Sequence, residues 1–320
     1  MTNQERPEIT NLNQNSLADD EIDLRDLFSA IWQGKWLIIA VTFVFVVGSV
    51  FYALSLPNIY KSEVLLAPAS DSSGMKVSGQ LGGLAALAGV NLGGSGGGDK
   101  TQLAIEVLKS RDFIGRFIEK YDLFVPIMAA ESWSRQDNSL IINPEIYDSE
   151  SKVWLRKVSE PFKPKPSLQE SYSKFISLLN VSQDKVSGFI RVSVEYLSPY
   201  MAKQWLDLLI KDINNEMRAR ELKEAQNSIN YLNEQIVQTD IADVRTMLFS
   251  LVEEQTKTVM LASVRDEYVF KTIDPALIPE KKSGPKRALV VLLIVFLGFS
   301  VSLLFVLFKS FANINKRRSV

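Results

Sequence analysis

The fold is decided by the stretch SPYMAKQWLDLLIKDINNEMRARELKEAQNSINYLNEQIV, residues 198–237, which predicts a single helix too long for a compact domain. Ser198 and Pro199 are a helix cap and a first-turn proline, and neither glycine nor proline follows before Pro275. Such a helix measures about 55–60 Å at 1.5 Å per residue. We therefore expect its second half to extend away from the domain that holds its first half.

The apolar stripe of this helix changes face at its middle. The first half carries Leu206, Ile210, Ile213 and Met217, and the second half carries Leu222, Ala225, Ile229, Leu232 and Ile236. The step from Met217 to Leu222 turns the stripe by about 140°. We expect the first half to pack on a base domain and the second half on a return helix that follows Asp240. The predicted stripe of the return helix is Ile241, Val244, Leu248 and Leu251.

Flanking segments predict the base domain. Strands are predicted at 59–66, where Tyr60, Ser62, Val64 and Leu66 share one face, at 189–196, where apolar and polar residues alternate, and at 267–273. One helix is predicted from an Asp99 cap through Tyr121. A second follows the PFKPKP turn at 161–166, with Ser167 and Glu170 as its capping box. The buried stripe of this second helix is predicted to be Leu168, Tyr172, Phe175 and Leu179.

Further outward lie two uncharged runs, LIIAVTFVFVVGSVFYALSL at 37–56 and ALVVLLIVFLGFSVSLLFVLF at 288–308. Each is about long enough to cross a bilayer as a helix. The leader before the first run is acidic and long, which favours an uncleaved anchor over a secretory signal. Basic residues are nearly balanced between the tails and the central domain, so the charge rule does not orient the chain.

These patterns predict an α+β protein in which two transmembrane helices flank an α/β base with a long helical hairpin. The predicted divisions are a tail at 1–36, spans at 37–56 and 288–308, a central domain at 57–287 and a tail at 309–320. Within the central domain, the base is about 57–200 and 262–287, and the helical extension about 215–261. A two-helix hairpin buries little surface on its own, so we expect the protein to be a homo-oligomer.

Composition excludes several kinds of chemistry. The chain has 320 residues, a net charge of −1, no cysteine and no histidine, which removes the usual general base, thiolate nucleophiles, disulfides and common zinc sites. We predict no catalytic residue, no cofactor, no metal ion and no nucleic-acid partner.

The Gly-rich segment 70–98 has two interpretations. A mobile loop is one, because few side chains are available to bury. A phosphate-binding loop is the other, since Gly93, Gly98, Lys100 and Thr101 approximate its spacing. Asp99 occupies the position where a Walker A lysine is needed, and its charge would repel a phosphate. The mobile loop is therefore the favoured interpretation.

The acidic and aromatic residues also have two possible interpretations each. Paired carboxylates could serve glycosidic chemistry, but a solvated helix surface is favoured. The acidic candidates are Asp243, Glu253, Glu254, Asp266 and Glu267. Trp133 and Trp154 are candidates for stacking on sugars, whereas Trp205 is expected in the core.

Eight residues are candidates for assembly or for contact with another membrane protein. In the spans, small residues four apart let helices approach closely. They are Ser49, Ala53, Gly298 and Ser302, and the approach to the second span adds Pro275, Pro279, Pro285 and Lys286. A stiff linker into the membrane explains the prolines equally well.

An ordered set of segments gives the chain a family resemblance. The segments are DEIDLRDL (20–27), LKSRDF (108–113), SVEYLSP (193–199), the long helix, EEQTKTVMLA (253–262), DEYVFKTIDPALIP (266–279) and the final span. With them the chain resembles the Wzz-type polysaccharide co-polymerases, the O-antigen chain-length determinants of Gram-negative bacteria.

The resemblance implies a multi-pass inner-membrane protein with both tails in the cytoplasm and the central domain in the periplasm. It also implies a homo-oligomeric ring that works with a Wzy-type polymerase on a lipid-linked polysaccharide. In addition, the resemblance links the Pro-rich approach to the second span with function. Relatives with a cytoplasmic kinase carry it after the second span. Only residues 309–320 follow here, so we expect none.

Other functions remain open from the residues alone. Length control of enterobacterial common antigen or of an exopolysaccharide is one. A transmembrane sensor would need a cytoplasmic output module, and a periplasmic carbohydrate enzyme would need an acid pair in a cleft.

Overall fold

The structure, a computed structural model, describes residues 31–69 and 96–318. The predictions for the acidic leader, for most of the Gly-rich segment and for the last residues of the C-terminal tail fall outside these ranges. The chain divides into two units, one formed by Pro57–Pro285 and the other by Met1–Leu56 with Lys286–Val320.

Helices and strands alternate irregularly along the chain. In order they are α1 Lys35–Ser55, β1 Tyr60–Pro68, α2 Gly96–Lys109, α3 Arg111–Lys120, α4 Phe124–Ala129, β2 Ala130–Ser134, β3 Ser139–Ile142, β4 Tyr147–Asp148, β5 Val153–Trp154, α5 Leu168–Ile176, β6 Leu179–Gln183, β7 Ile190–Tyr196, α6 Pro199–Gln238, α7 Ala242–Val264, β8 Phe270–Asp274 and α8 Arg287–Arg318. This α+β architecture, with one very long helix and an apolar helix near each end of the chain, confirms the predicted fold class.

A four-stranded antiparallel sheet forms the base of the central unit, in the order β6-β7-β1-β8. Tyr60 lies opposite Tyr196 and Leu66 opposite Ile190. The predicted alternation of β1 is correct, since Ser62, Val64 and Leu66 are buried. The three predicted strands are present, and β6 is added to them.

The first part of α6 covers this sheet. It packs against β1 and β7, and its buried residues join α2, α3 and α5 in one hydrophobic core. From α6 the core includes Trp205, Leu206, Leu209, Ile213 and Met217. Trp205 is therefore a core residue, as its position in the sequence predicts.

Two helices of the base differ from the predictions. The helix predicted from Asp99 begins at Gly96 and ends at Lys109, because Ser110 caps a separate helix by accepting a hydrogen bond from Phe113 N at 3.2 Å. The second helix has the predicted capping box but ends at Ile176. Leu179, predicted in its stripe, begins β6 instead.

The long helix and a return helix are both present, as predicted, but the predicted stripe of the return helix is buried only in part. α6 has 40 residues, about 60 Å. It packs against α7, and the short connection between them makes the pair antiparallel. Ala225 and Leu248 are buried, whereas Ile241 and Leu251 of the predicted α7 stripe are exposed.

An ion-pair network joins α3 to the first half of α6. Glu216 accepts hydrogen bonds from Arg116 at 3.0 Å and from Arg220 at 2.7 Å. The bond from Arg116 is the largest cause of a lowered pKa at Glu216, and partial burial opposes it. The carboxylate is therefore favoured in the folded state.

Stability should depend on the protonation of Glu216. Its folded pKa lies below the ordinary value of 4.5, so the stabilisation is full at pH values well above 4.5 and is lost as the pH falls through 4.5 and then through the folded pKa. We expect Glu216→Gln to lower the free energy of unfolding by about 0.5–1 kcal/mol at neutral pH and to have little effect at strongly acidic pH. Urea unfolding of the full chain in detergent at both pH values measures this.

The control is Glu224→Gln, on an exposed position of the same helix. It should change stability by less than about 0.5 kcal/mol at either pH. A loss for Glu216→Gln that is equal at both pH values would contradict the ion-pair explanation.

Candidate functional site

The terminal unit contains two helices that are long and apolar enough to cross a membrane, Lys35–Ser55 and Arg287–Lys309. They correspond to α1 and to the first part of α8, and they pack against each other. We call them the membrane helix pair. Arg287 Nη2 donates to the carbonyl of Leu56 at 3.0 Å, which joins the pair at one end.

Small residues lie in the contact between the two helices. Ser49 is only 1% exposed, and Ala53 and Ser302 are also buried. The hydroxyl of Ser49 donates to Val46 O at 2.7 Å, and that of Ser302 to Phe299 O at 2.8 Å. Each hydroxyl is thus satisfied within its own helix, as an apolar environment requires.

Two glycines allow the closest approach. A Cβ added at Gly298 would lie 2.4 Å from Phe45 Cγ, and one added at Gly34 would lie 2.4 Å from a methyl carbon of Val306. The structure therefore brings the sequence-predicted residues Ser49, Ala53, Gly298 and Ser302 into one helix contact. Gly34 was not predicted, because it precedes the apolar run and only its distant partner reveals its role. A role of this contact in assembly or in binding a polymerase stays a prediction.

The Pro-rich approach follows β8. Pro275 is exposed and lines an open groove, and Pro279 is half-buried. Before Pro285, Gly284 accepts a hydrogen bond from Ile59 N at 3.0 Å, and Ser283 N donates to Ile59 O at 2.8 Å. The segments by which the chain enters and leaves the central unit are therefore hydrogen-bonded to each other. Lys286 begins the other unit, where its carbonyl accepts from Leu289 N at 2.9 Å.

The open groove beside Pro275 has a volume of about 530 Å³ and lies along α6 and β8. Two of the candidate acids, Asp266 and Glu267, line it. Glu267 accepts a hydrogen bond from Thr272 N at 2.9 Å, and Asp266 lies 3.8 Å from Arg218 Nη1. These contacts are typical of a solvated loop.

The remaining candidate acids lie on α7. Asp243, Glu253 and Glu254 are all exposed there. Among the described residues no group of three carboxylates is placed to hold a metal ion.

The candidate tryptophans lie in aromatic clusters. Trp133 contacts Tyr60 and Tyr200, with ring centroids 5.6 and 6.2 Å apart, and Trp154 contacts Tyr147 at 4.9 Å. Nearby, the hydroxyl of Tyr196 donates to Pro126 O at 2.6 Å, and burial raises the pKa of Tyr196. This phenol is a neutral structural donor.

One segment of the chain is similar to a known protein family. Residues 20–121 match the family model for Wzz, chain length determinant protein. The match confirms the resemblance over this segment, which includes the first apolar helix, β1 and α2. No curated protein matches the chain.

Solved structures of two polysaccharide co-polymerases are similar to the chain. One is described as a full-length bacterial polysaccharide co-polymerase, with 13% identity and a TM-score of 0.36, and the alignment covers 91% of this chain and 98% of that one. The other is a fragment of WzzB, a polysaccharide co-polymerase from Salmonella Typhimurium, with 14% identity and a TM-score of 0.26, covering 71% of this chain and 100% of that one.

Proposed function

We propose that this chain, whose residues 20–121 match the Wzz family, sets the modal chain length of lipopolysaccharide O-antigen in the Wzy-dependent pathway. That match is the observation that carries the proposal. The protein acts as a non-enzymatic scaffold, which agrees with a sequence that offers neither histidine nor cysteine for catalysis. Its partners are a Wzy-type polymerase in the same membrane and the lipid-linked polysaccharide.

The two apolar helices support the proposed topology. If both cross the inner membrane, the two termini lie on one side of it and Pro57–Pro285 on the other. The family resemblance implies that the termini are cytoplasmic and that Pro57–Pro285 is periplasmic. Growth of the polymer on that side gives the central unit access to it.

Exposed apolar residues on α6 and α7 support a homo-oligomer. Large exposed apolar patches mark interaction sites, because soluble monomers rarely carry them. The exposed residues are Tyr231, Val237, Ile241, Met247, Phe249, Leu251, Met260 and Val264. Copies packed side by side into a ring would bury them.

Deleting the gene tests the proposal. We expect the lipopolysaccharide ladder on a gel to lose its modal length cluster and to shift to short chains, and we expect the intact gene to restore the cluster. A ladder that keeps its cluster would overturn the proposal. A change confined to enterobacterial common antigen or to an exopolysaccharide would instead assign the protein to that polymer.

Single substitutions of the acids separate the scaffold from an enzyme. Asp266→Asn and Glu267→Gln should leave the modal cluster in place, because neither carboxylate has a catalytic role in a scaffold. Loss of all polymer in either variant would favour a carbohydrate enzyme.

A further inference from the structure

Three aromatic side chains form an isolated cluster, which we call the aromatic trio: Tyr60, Trp133 and Tyr200. The rings of Tyr60 and Trp133 meet edge to face at 79°, and Trp133 also contacts Tyr200. None of the three belongs to the hydrophobic core, and Tyr200 is 47% exposed. Trp133 Nε1 donates to Asn138 Oδ1 at 3.0 Å. The trio is thus amphipathic: each ring carries a polar N–H or O–H group, and Tyr60 and Trp133 are half-buried while Tyr200 is exposed.

The trio lies at the end of the sheet where the chain enters the central unit. Tyr60 is the first residue of β1, and only residues 56–59 separate it from the end of α1. Five Cα steps reach at most about 18 Å. Ile59 is hydrogen-bonded to Gly284, where the chain leaves toward α8. Both of the chain's connections to the membrane helices therefore leave the central unit at this end.

The exit segment 277–282 adds apolar and basic side chains. Leu277 is 68% exposed, and Ile278 is also exposed. The carbonyl of Leu277 accepts a hydrogen bond from Ser62 Oγ at 2.8 Å, which fixes the segment beside the first residues of β1. Lys281 and Lys282 follow and are exposed. Tyrosine, tryptophan, leucine and lysine together are the composition of the membrane interface.

We propose that the aromatic trio and residues 277–282 form a headgroup face that is seated in the headgroup layer of a phospholipid bilayer. The rings and Leu277 enter the layer, where amphipathic aromatic side chains are favoured. Lys281 and Lys282 pair with lipid phosphates, which attract basic side chains close to the surface. The face fixes the height and tilt of the central unit above the membrane. This role is independent of the polymer that the protein controls.

A sugar-stacking site is the competing interpretation of the trio. Stacking on a sugar needs an accessible ring face, whereas Trp133 is half-buried and already contacts two other rings. The tether to the membrane and the basic exit segment also favour lipid. Lipid and sugar are distinguished by adding each separately and measuring which one changes the accessibility of the trio.

Spin labels test the proposal in the full chain, which has no native cysteine. Tyr200→Cys and Leu277→Cys place labels on the headgroup face. Val186→Cys is the control, because Val186 is 99% exposed in the turn between β6 and β7, at the opposite end of β7 from Tyr196, the residue that pairs with Tyr60. Each labelled protein is reconstituted into phosphatidylcholine vesicles with and without phosphatidylglycerol. Accessibility to oxygen and to a water-soluble nickel chelate is then measured.

We expect the ratio of oxygen to nickel accessibility at positions 200 and 277 to be several-fold higher than at 186, and the difference to vanish in lipid-free amphipathic polymer. Equal ratios at all three positions would overturn the proposal. So would shielding at 200 and 277 that persists without lipid, since it would indicate a protein contact. If the accessibility ratio at position 200 changes only when lipid-linked polysaccharide is added, the proposal is overturned in favour of a sugar-binding site.

A charge variant tests the lysines. Lys281→Glu with Lys282→Glu should raise nickel accessibility at position 277 in vesicles that contain phosphatidylglycerol. The matched control, Lys185→Glu with Lys223→Glu, should not change it. If both pairs behave alike, the lysines do not bind lipid phosphates and that part of the headgroup face is wrong.

Discussion

Replacing Asn214 with leucine is expected to lower the free energy of unfolding of the central unit by about 3 kcal/mol or more. Asn214 is 4% exposed, and its side chain joins α6 to the start of β8. Its Oδ1 accepts from Val269 N and Phe270 N, both at 2.9 Å, and its Nδ2 donates to Phe270 O at 3.1 Å. Leucine can form none of these hydrogen bonds. Each buried backbone group that is left without a partner costs about 1–3 kcal/mol.

Asn227→Leu is the matched control. It makes the same substitution on the same helix at an exposed position, where the expected change is less than about 0.5 kcal/mol. Urea unfolding of the full chain in detergent, followed by tryptophan fluorescence, compares the two. Similar losses in both variants would show that α6 does not depend on the Asn214 hydrogen bonds.

Gly298→Val is expected to separate the membrane helix pair and to abolish the modal length cluster. A Cβ at this position would lie 2.7 Å from Phe45 Cβ, which is fixed by the backbone and cannot rotate away. Overpacking of this kind typically costs about 1–3 kcal/mol, and each 1.4 kcal/mol shifts an equilibrium about tenfold.

Gly48→Val is the control for this substitution, because a Cβ there meets no atom within 4 Å. Contact between the helices is measured by a disulfide between Gly34→Cys and Val306→Cys, since a Cβ at Gly34 would lie 3.2 Å from Val306 Cβ. Gly298→Val should greatly reduce this cross-link, and Gly48→Val should preserve it. Unchanged cross-linking in Gly298→Val would contradict the helix contact. A lost cross-link with an intact modal cluster would show that the contact is not needed for chain-length control.

The sequence anticipates the elements whose signals are local. The caps and periodicity of 198–237 predict α6, and the break at Asp240 predicts its return helix. The residue pattern predicts the strands near residues 60 and 190, and a last strand is predicted at 267–273, where the chain returns to the base. β6 was missed because its five residues continue the apolar spacing of α5, and the hairpins β2–β3 and β4–β5 carry no strong alternation.

The candidate site is predictable only in part. Small residues four apart identify Ser49, Ala53, Gly298 and Ser302, since helical spacing is visible in sequence. Gly34, Asn214 and the aromatic trio are different, because each acquires its role from a partner that is distant in the chain.

The sequence by itself determined the two apolar helices, the long helix with its change of face, and the family resemblance, because length, periodicity and ordered motifs act along the chain. Only the tertiary structure decided which side chains meet: Gly298 with Phe45, Asn214 with the start of β8, and Tyr60 with Trp133 and Tyr200. The physical reason is that packing and hydrogen bonding depend on distances in space, and these are fixed only when the sheet and helices come together.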